Sequence, residues 1–162
     1  MRAVAGRFRL LHLTLPGQEP NSAPLSAGPA GFPCLARLLE LLEAVLAHYS
    51  VDHCVGLGVG LGATALLGLA TRRPHLLDGL ILLNCSGLSE AGWAEWLTHR
   101  RHQLGLRGGR LPESLLDWLV WRQFGGRAEG GAARRYRAQC SQLCPANLGL
   151  LYRAWVERGP VR

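Results

Sequence analysis

Leucines recur at helical spacing between residues 34 and 49, where the sequence is CLARLLELLEAVLAHY. The apolar positions fall three or four residues apart, and the charged residues Arg37, Glu40 and Glu43 lie on the opposite side of a helical projection. This spacing predicts an amphipathic helix. A second helix is predicted over residues 63–73 (ATALLGLATRR), because Pro74 cannot continue it.

Three shorter apolar runs have the length and composition of strands. They are residues 8–15, which end at the turn dipeptide Pro16-Gly17, residues 54–57, and residues 80–83. The last run is uninterrupted and predicts a strand buried on both faces. Strands that alternate with helices indicate an α/β fold in which right-handed crossovers build a parallel sheet.

The pattern changes after residue 86, where strand-like runs stop and all five tryptophans occur. Three or four helices are predicted, over about residues 90–104, 112–124, 132–143 and 145–156. Pro112 and Pro145 suit first helical positions, and Gly125 suits a helix end. We therefore expect two regions, a sheet region over residues 1–88 and a helical cap region over residues 89–162.

The chain is strongly basic, with a formal net charge of +7 in 162 residues, and all 18 basic residues are arginine. These arginines are scattered in pairs without a dense run, so no nucleic-acid partner is expected. Cys140 and Cys144 have a spacing that suits one helical face better than a zinc knuckle, and no metal or cofactor is predicted. No segment has the length and apolarity of a membrane span, which favours a soluble cytoplasmic protein.

Four glycines alternate along the sequence VGLGVGLGA, at positions 56, 58, 60 and 62. A dinucleotide-binding turn would need an acidic residue at the far end of the next strand, and that strand ends in Asn84 and Cys85. A phosphate-binding loop would need a lysine, which the chain lacks. The third interpretation is a degenerate nucleophile elbow formed by Gly56, Gly58 and Gly60, in which Gly58 replaces the nucleophilic serine of G-x-S-x-G.

Few other side chains suggest catalysis. His48 and His53 flank the end of the leucine-rich helix and are interpreted as partly exposed cap residues. Asp78 and Glu90 lie near strand ends, where a triad acid could sit, but an acid needs a histidine-activated nucleophile. No catalytic residue is therefore predicted, and an active hydrolase with an unrecognised nucleophile such as Cys85 is the alternative. A nucleotide-dependent redox enzyme is a weaker third hypothesis.

Several segments, in this order along the chain, resemble the N-myc downstream-regulated (NDRG) family. They are LPGQEPNSAP, the leucine-rich helix, VGLGVGLGA, RRPHLLDGLILLN, GWAEW, FGG and CPANLGLLYRAW. The resemblance covers roughly residues 10–155. It differs after residue 84, where relatives typically carry an acidic residue and this chain has Cys85 and Ser86.

The resemblance implies a truncated α/β-hydrolase fold, present as an internal piece or short form of a longer protein. It also implies a pseudoenzyme that acts through unidentified protein partners in cytoplasmic signal transduction, differentiation or stress response. In that fold the strands at residues 8–15 and 54–57 are not neighbours. We therefore expect a gap between them, and self-association through the exposed sheet edges.

Overall fold

The computed structural model describes residues 6–25, 34–85, 93–125 and 130–156. Within these ranges the chain forms a small parallel sheet and six α-helices, which confirms the predicted α/β class. A short 3₁₀ turn, Pro74–Leu76, precedes the second strand. In chain order the elements are α1 Leu35–His48, β1 Cys54–Val59, α2 Leu61–Arg72, β2 Leu77–Leu83, α3 Trp93–Leu106, α4 Glu113–Phe124, α5 Gly131–Cys140 and α6 Pro145–Val156.

The two strands are parallel neighbours, with Leu57 opposite Ile81 and Val59 opposite Leu83. Helix α2 connects them and packs on one face of the sheet, and α1 packs on the outer side of α2. Leucine and alanine side chains fill the space between the two helices, and this core comprises Leu39, Leu46, Ala65 and Leu69. At the rim, Glu43 of α1 lies 3.1 Å from the guanidinium of Arg73 and 3.7 Å from that of Arg72.

The prediction that the strand at residues 80–83, which is part of β2, is buried on both faces is wrong. Side chains alternate between the faces of a strand, and only one face of this sheet is covered by α2. The other face is an apolar surface with exposed fractions of 39–64%, formed by Val55, Leu57, Val59, Ile81 and Leu83. Within the described ranges this open sheet face has no covering layer.

Residues 8–15 do not form the predicted strand. Their backbone is irregular, and Phe8, Leu10 and Leu13 are exposed. A strand needs a hydrogen-bonded neighbour, and the described sheet consists of β1 and β2 alone. As expected, the segment does not pair with β1. The turn that follows it is present, with a positive φ of 71° at Gly17.

The second half of the chain has a core of its own. It comprises Leu106, Leu115, Leu148 and Tyr152, contributed by α3, α4 and α6. Pro145 begins α6 as predicted, whereas Pro112 lies one residue before α4. The expectation that Cys140 and Cys144 share a helical face is wrong, because α5 ends at Cys140 and Cys144 precedes α6.

A buried asparagine connects distant parts of the chain. The Asn147 side chain of α6 is fully buried and lies against the turn at residues 17–25. Its Nδ2 donates to the Gly17 and Ala23 carbonyls at 3.0 and 2.9 Å, and its Oδ1 accepts from the Leu25 amide at 2.7 Å. Residues 17–25, which the sequence places with the sheet region, thus hydrogen bond to the cap. The boundary between residues 88 and 89 lies outside the described residues, and the division into two regions stays a prediction.

Replacing Asn147 by alanine should release residues 17–25 from α6. The substitution leaves the partly buried Leu25 amide and the Ala23 carbonyl without the partners that Asn147 supplies, while the Gly17 carbonyl keeps only Ser22 Oγ at 2.8 Å. We therefore expect the free energy of unfolding to fall by about 1–3 kcal/mol. Hydrogen exchange at the Leu25 amide should accelerate, while the control Gln123→Ala, at an exposed position on α4, should change neither quantity. Unchanged protection of Leu25 in the Asn147 variant would contradict the connection.

Candidate functional site

The turn between β1 and α2 is centred on Gly60. Its backbone has φ 58° and ψ −118°, a left-handed conformation that side-chain-bearing residues rarely adopt. The Gly60 amide donates to the Leu83 carbonyl at 2.9 Å, and the Gly60 carbonyl accepts from the Thr64 amide at 3.1 Å. Gly60 therefore hydrogen bonds to β2 through its amide and to the first turn of α2 through its carbonyl, and it is the one residue between strand and helix.

Gly58 lies within β1, under the first turn of α2. A Cβ atom at this position would lie 2.7 Å from the Ala63 nitrogen and Cα and from the Gly62 carbonyl carbon. These are backbone atoms, so no side-chain rotation could relieve the overlap. A Cβ at Gly56 would instead meet the flexible end of Leu80 at 2.9 Å. Gly58 is thus required for the close approach of helix and strand.

The geometry of a nucleophile elbow is found at Gly60, two residues after Gly58, and this corrects the expectation that Gly58 is the central position. An elbow residue needs a strained strand-to-helix turn and room for a projecting side chain. Gly60 has the positive φ, and a Cβ there would have no atom within 4 Å. The matching frame is GVGLG, residues 58–62, rather than residues 56–60. Alternating glycines fit both frames equally, so the sequence offered no way to choose.

The residues after β2 lie at the same edge of the sheet as this turn. Asn84 has a positive φ of 51°, and its Nδ2 donates to the Arg122 carbonyl at 3.5 Å. Cys85 follows as a partly exposed free thiol, two residues beyond the Leu83 carbonyl that binds Gly60. The structure therefore brings Cys85 to the elbow edge. Glu90 lies outside the described residues.

A histidine and an aspartate meet at the opposite edge. His53 Nδ1 lies 2.6 Å from Asp78 Oδ2, and both side chains are exposed. The hydrogen bond and the negative charge of Asp78 raise the pKa of His53. This pair flanks the beginning of each strand, about 20 Å of extended chain away from Gly60. The other histidine considered, His48, is exposed at the last residue of α1.

Two further histidines are buried in the cap, which sequence reasoning missed. The rings of His99 and His102 pack against Trp118, with centroid distances of 5.5 and 5.3 Å, and also face Tyr152. Burial, followed by the nearby His99 and Arg101, lowers the pKa of His102. Their burial could have been inferred from their three-residue spacing, which places both histidines on the side of α3 that carries Leu106. Their aromatic surroundings make them core residues.

Within the described ranges, no group of three or more histidine, cysteine, aspartate or glutamate side chains is arranged to hold a metal ion. No helix in the same ranges is long and apolar enough to cross a bilayer.

Comparison with known sequences identifies the family of this chain. The sequence profile of the Ndr family matches residues 1–162. The chain belongs to the Ndr family. This confirms the resemblance seen in the sequence.

Relatives in this family are similar to the chain at moderate identity. Protein NDRG3 of Xenopus laevis is 34% identical over 96 residues, which is 59% of this chain and 25% of the relative. Protein NDRG1-B of Xenopus laevis is 32% identical over 119 residues, or 74% of this chain and 29% of the relative. An uncharacterized Caenorhabditis elegans protein is 28% identical over 159 residues, or 98% of this chain and 47% of the relative. The Ndr chain thus spans from a quarter to about half the length of these relatives.

Alanine substitutions should distinguish the role of Gly58 in the close approach of α2 to β1 from the role of Gly60 in the turn with positive φ. Gly58→Ala should lower the free energy of unfolding by about 2–3 kcal/mol, because the added methyl group overlaps the α2 backbone. Gly60→Ala should cost about 1–3 kcal/mol through its positive φ alone. Urea unfolding with two-state analysis measures all of these changes.

The control for this series is Gly62→Ala, where the helix has open space for a Cβ. Alanine favours the helix over glycine, so this variant should gain about 0.5–1 kcal/mol. A Gly58→Ala variant as stable as Gly62→Ala would contradict the close approach of α2 to β1.

Proposed function

We propose that this Ndr-family chain is a non-catalytic α/β-hydrolase-like protein, which acts through protein partners in cytoplasmic signalling, differentiation or stress response. The observation that carries this proposal is the residue at the elbow. Gly60 has the backbone conformation and the open space of a nucleophile position, and it has no side chain. An elbow without a hydroxyl or thiol cannot form a covalent acyl intermediate.

The placement of the described histidines supports the same conclusion. A nucleophile needs a general base within about 3 Å. His53 and Asp78 lie at the opposite edge of the sheet, and His99 and His102 are enclosed by the aromatic rings of the cap. Rebuilding a serine at the elbow would therefore not give its proton an acceptor at His53, His99 or His102.

Family membership supports a role in binding without naming a partner. The resemblance to NDRG proteins implies a non-enzymatic function, and the chain spans only part of the relatives that it matches. Signalling, differentiation and a cytoplasmic location are therefore proposals for this chain. Likewise, an absence of nucleic-acid partners and of cofactors is proposed from the scattered arginines and the incomplete glycine motif.

One observation favours a second candidate function, that of a thiol hydrolase. Cys85 lies at the elbow edge of the sheet and is partly exposed, which is where a nucleophile would meet substrate in an α/β sheet. A cysteine nucleophile also needs activation by a base or a positive environment. His53 is at the opposite edge of the sheet, and His99 and His102 are enclosed by aromatic rings, so this alternative ranks second.

Activity measurements on the parent chain and on Gly60→Ser test the proposed function. We expect neither protein to hydrolyse a short-chain p-nitrophenyl ester above background or to react with a fluorophosphonate probe, because His53, His99 and His102 are not placed to act as a base at the elbow. A commercial serine esterase serves as the positive control. Turnover by the parent that disappears in Cys85→Ser would establish the second candidate, and turnover that appears only in Gly60→Ser would show that a base is present.

Self-association through the exposed sheet is part of the proposal. The described sheet has two open edges and an uncovered apolar face, and such surfaces favour pairing with another chain. Light scattering after gel filtration should give a mass above 17.6 kDa that rises with protein concentration. Leu57→Ser with Ile81→Thr should lower this mass, whereas Trp121→Ser, at an exposed site on α4, should not. A parent mass of one chain at all concentrations would exclude self-association.

A further inference from the structure

The outward side of α3 carries an exposed line of leucines and arginines. Leu97 and Leu104 are 54% and 62% exposed, seven residues apart, and therefore on the same side of the helix. Arg100 and Arg101 lie between the two leucines, and Arg107 follows Leu104 in the turn directly after the helix. We call this surface the leucine-arginine stripe, and it consists of Leu97, Arg100, Arg101, Leu104 and Arg107.

The other side of the same helix is fixed in the cap. His99, His102 and Leu106 are all more than nine-tenths buried, and they pack against α4 and α6. The core therefore determines which way α3 faces. The leucines of the stripe are exposed because the opposite side of the helix is used for packing.

The charge along the stripe has one sign. Residues 97–107 include three arginines and no acidic residue. Beside Leu104 there is a shallow depression of about 130 Å³, lined by Arg100, Gln103, Leu104 and Arg107. Two guanidinium groups and an amide thus surround a leucine, a combination that offers hydrogen-bond donors to a phosphate and apolar area next to it.

We propose that the leucine-arginine stripe docks this protein on an anionic phospholipid bilayer, an interaction that goes beyond the proposed function and does not depend on it. A bilayer interface takes up both components of the stripe, since arginines meet lipid phosphates while leucines reach the acyl boundary. A nucleic-acid backbone would use the arginines and gain nothing from exposed leucines. A bilayer also needs no shape-matched pocket, so it can bind a straight stripe along one helix.

The geometry indicates docking along the surface. The two leucines are about 10.5 Å apart along the helix axis, at 1.5 Å per residue. With its inner side held in the cap core, α3 lies parallel to the membrane and only the stripe makes contact. Binding of this kind is reversible and weakens as salt screens the arginines.

Flotation of the complete chain with lipid vesicles tests the proposal. Vesicles of phosphatidylcholine with about 30% phosphatidylserine should bind the protein at 0.1 M salt, whereas pure phosphatidylcholine should not. Arg101→Gln with Arg107→Gln should weaken the partition coefficient about 25-fold, at roughly fivefold for each arginine. Leu104→Ser should weaken it by about tenfold or more, because a buried leucine side chain is lost from the interface.

Matched variants test whether binding depends on the stripe itself rather than on the total positive charge or on any exposed leucine. Arg134→Gln with Arg135→Gln removes the same charge from α5, and Leu57→Ser removes an exposed leucine from the open sheet face. Both controls should bind within about twofold of the parent, and circular dichroism confirms that every variant is folded.

Three results would overturn the proposal. These are equal losses in the stripe and α5 variants, absence of binding to the anionic vesicles, and a stronger stripe-dependent affinity for polyglutamate or for duplex DNA than for the vesicles. The last result would assign the stripe to an acidic protein or to nucleic acid. None of these results bears on catalysis, so failure here is distinct from failure of the proposed function.

Discussion

The close approach of α2 to β1 at Gly58 is the constraint on which the sheet region depends. A Cβ atom there would lie 2.7 Å from the helix backbone, so a residue without a side chain is needed before the helix can cross the strand at this distance. The crossing places Ala65 and Leu69 against Leu39 and Leu46 of α1, and it covers one face of the sheet. Because β1 ends at Val59 and α2 begins at Leu61, the chain turns from strand to helix at one residue, Gly60.

The cap is organised differently, around buried polar and aromatic groups. Asn147 connects α6 to a turn more than 120 residues earlier, while the rings of His99, His102, Trp118 and Tyr152 pack together. A buried amide that satisfies several backbone groups is costly to replace, since several hydrogen bonds are lost at once. The cap therefore holds the amino-terminal turn in place, and it also determines which side of α3 is exposed.

Function in this chain is best understood from the surfaces that packing leaves uncovered. The elbow keeps the backbone of a catalytic turn, but Gly60 offers no atom for chemistry, and the His53–Asp78 pair is held at the other edge by the direction of the parallel strands. The open sheet face and the leucine-arginine stripe differ in chemistry, since one is wholly aliphatic and the other is rich in arginine. The proposals of self-association and of lipid docking rest on these two surfaces.

By itself, the sequence determined the elements whose cause is local. Leucine spacing set α1, prolines and glycines set several helix ends, the β1–α2–β2 order set a parallel sheet, and the glycine run with its flanking segments pointed to the Ndr family. Tertiary structure decided what depends on distant partners. Residues 8–15 lack a strand because no neighbour pairs with them, and β2 is half exposed because one covering layer is absent from the described residues. The backbone conformation of an elbow occurs at Gly60 rather than at Gly58, and the sequence could not show this because four alternating glycines are equivalent until packing against Ala63 distinguishes them. The role of Asn147 was also hidden, because its hydrogen bonds join residues that are far apart along the chain and meet only in the folded protein.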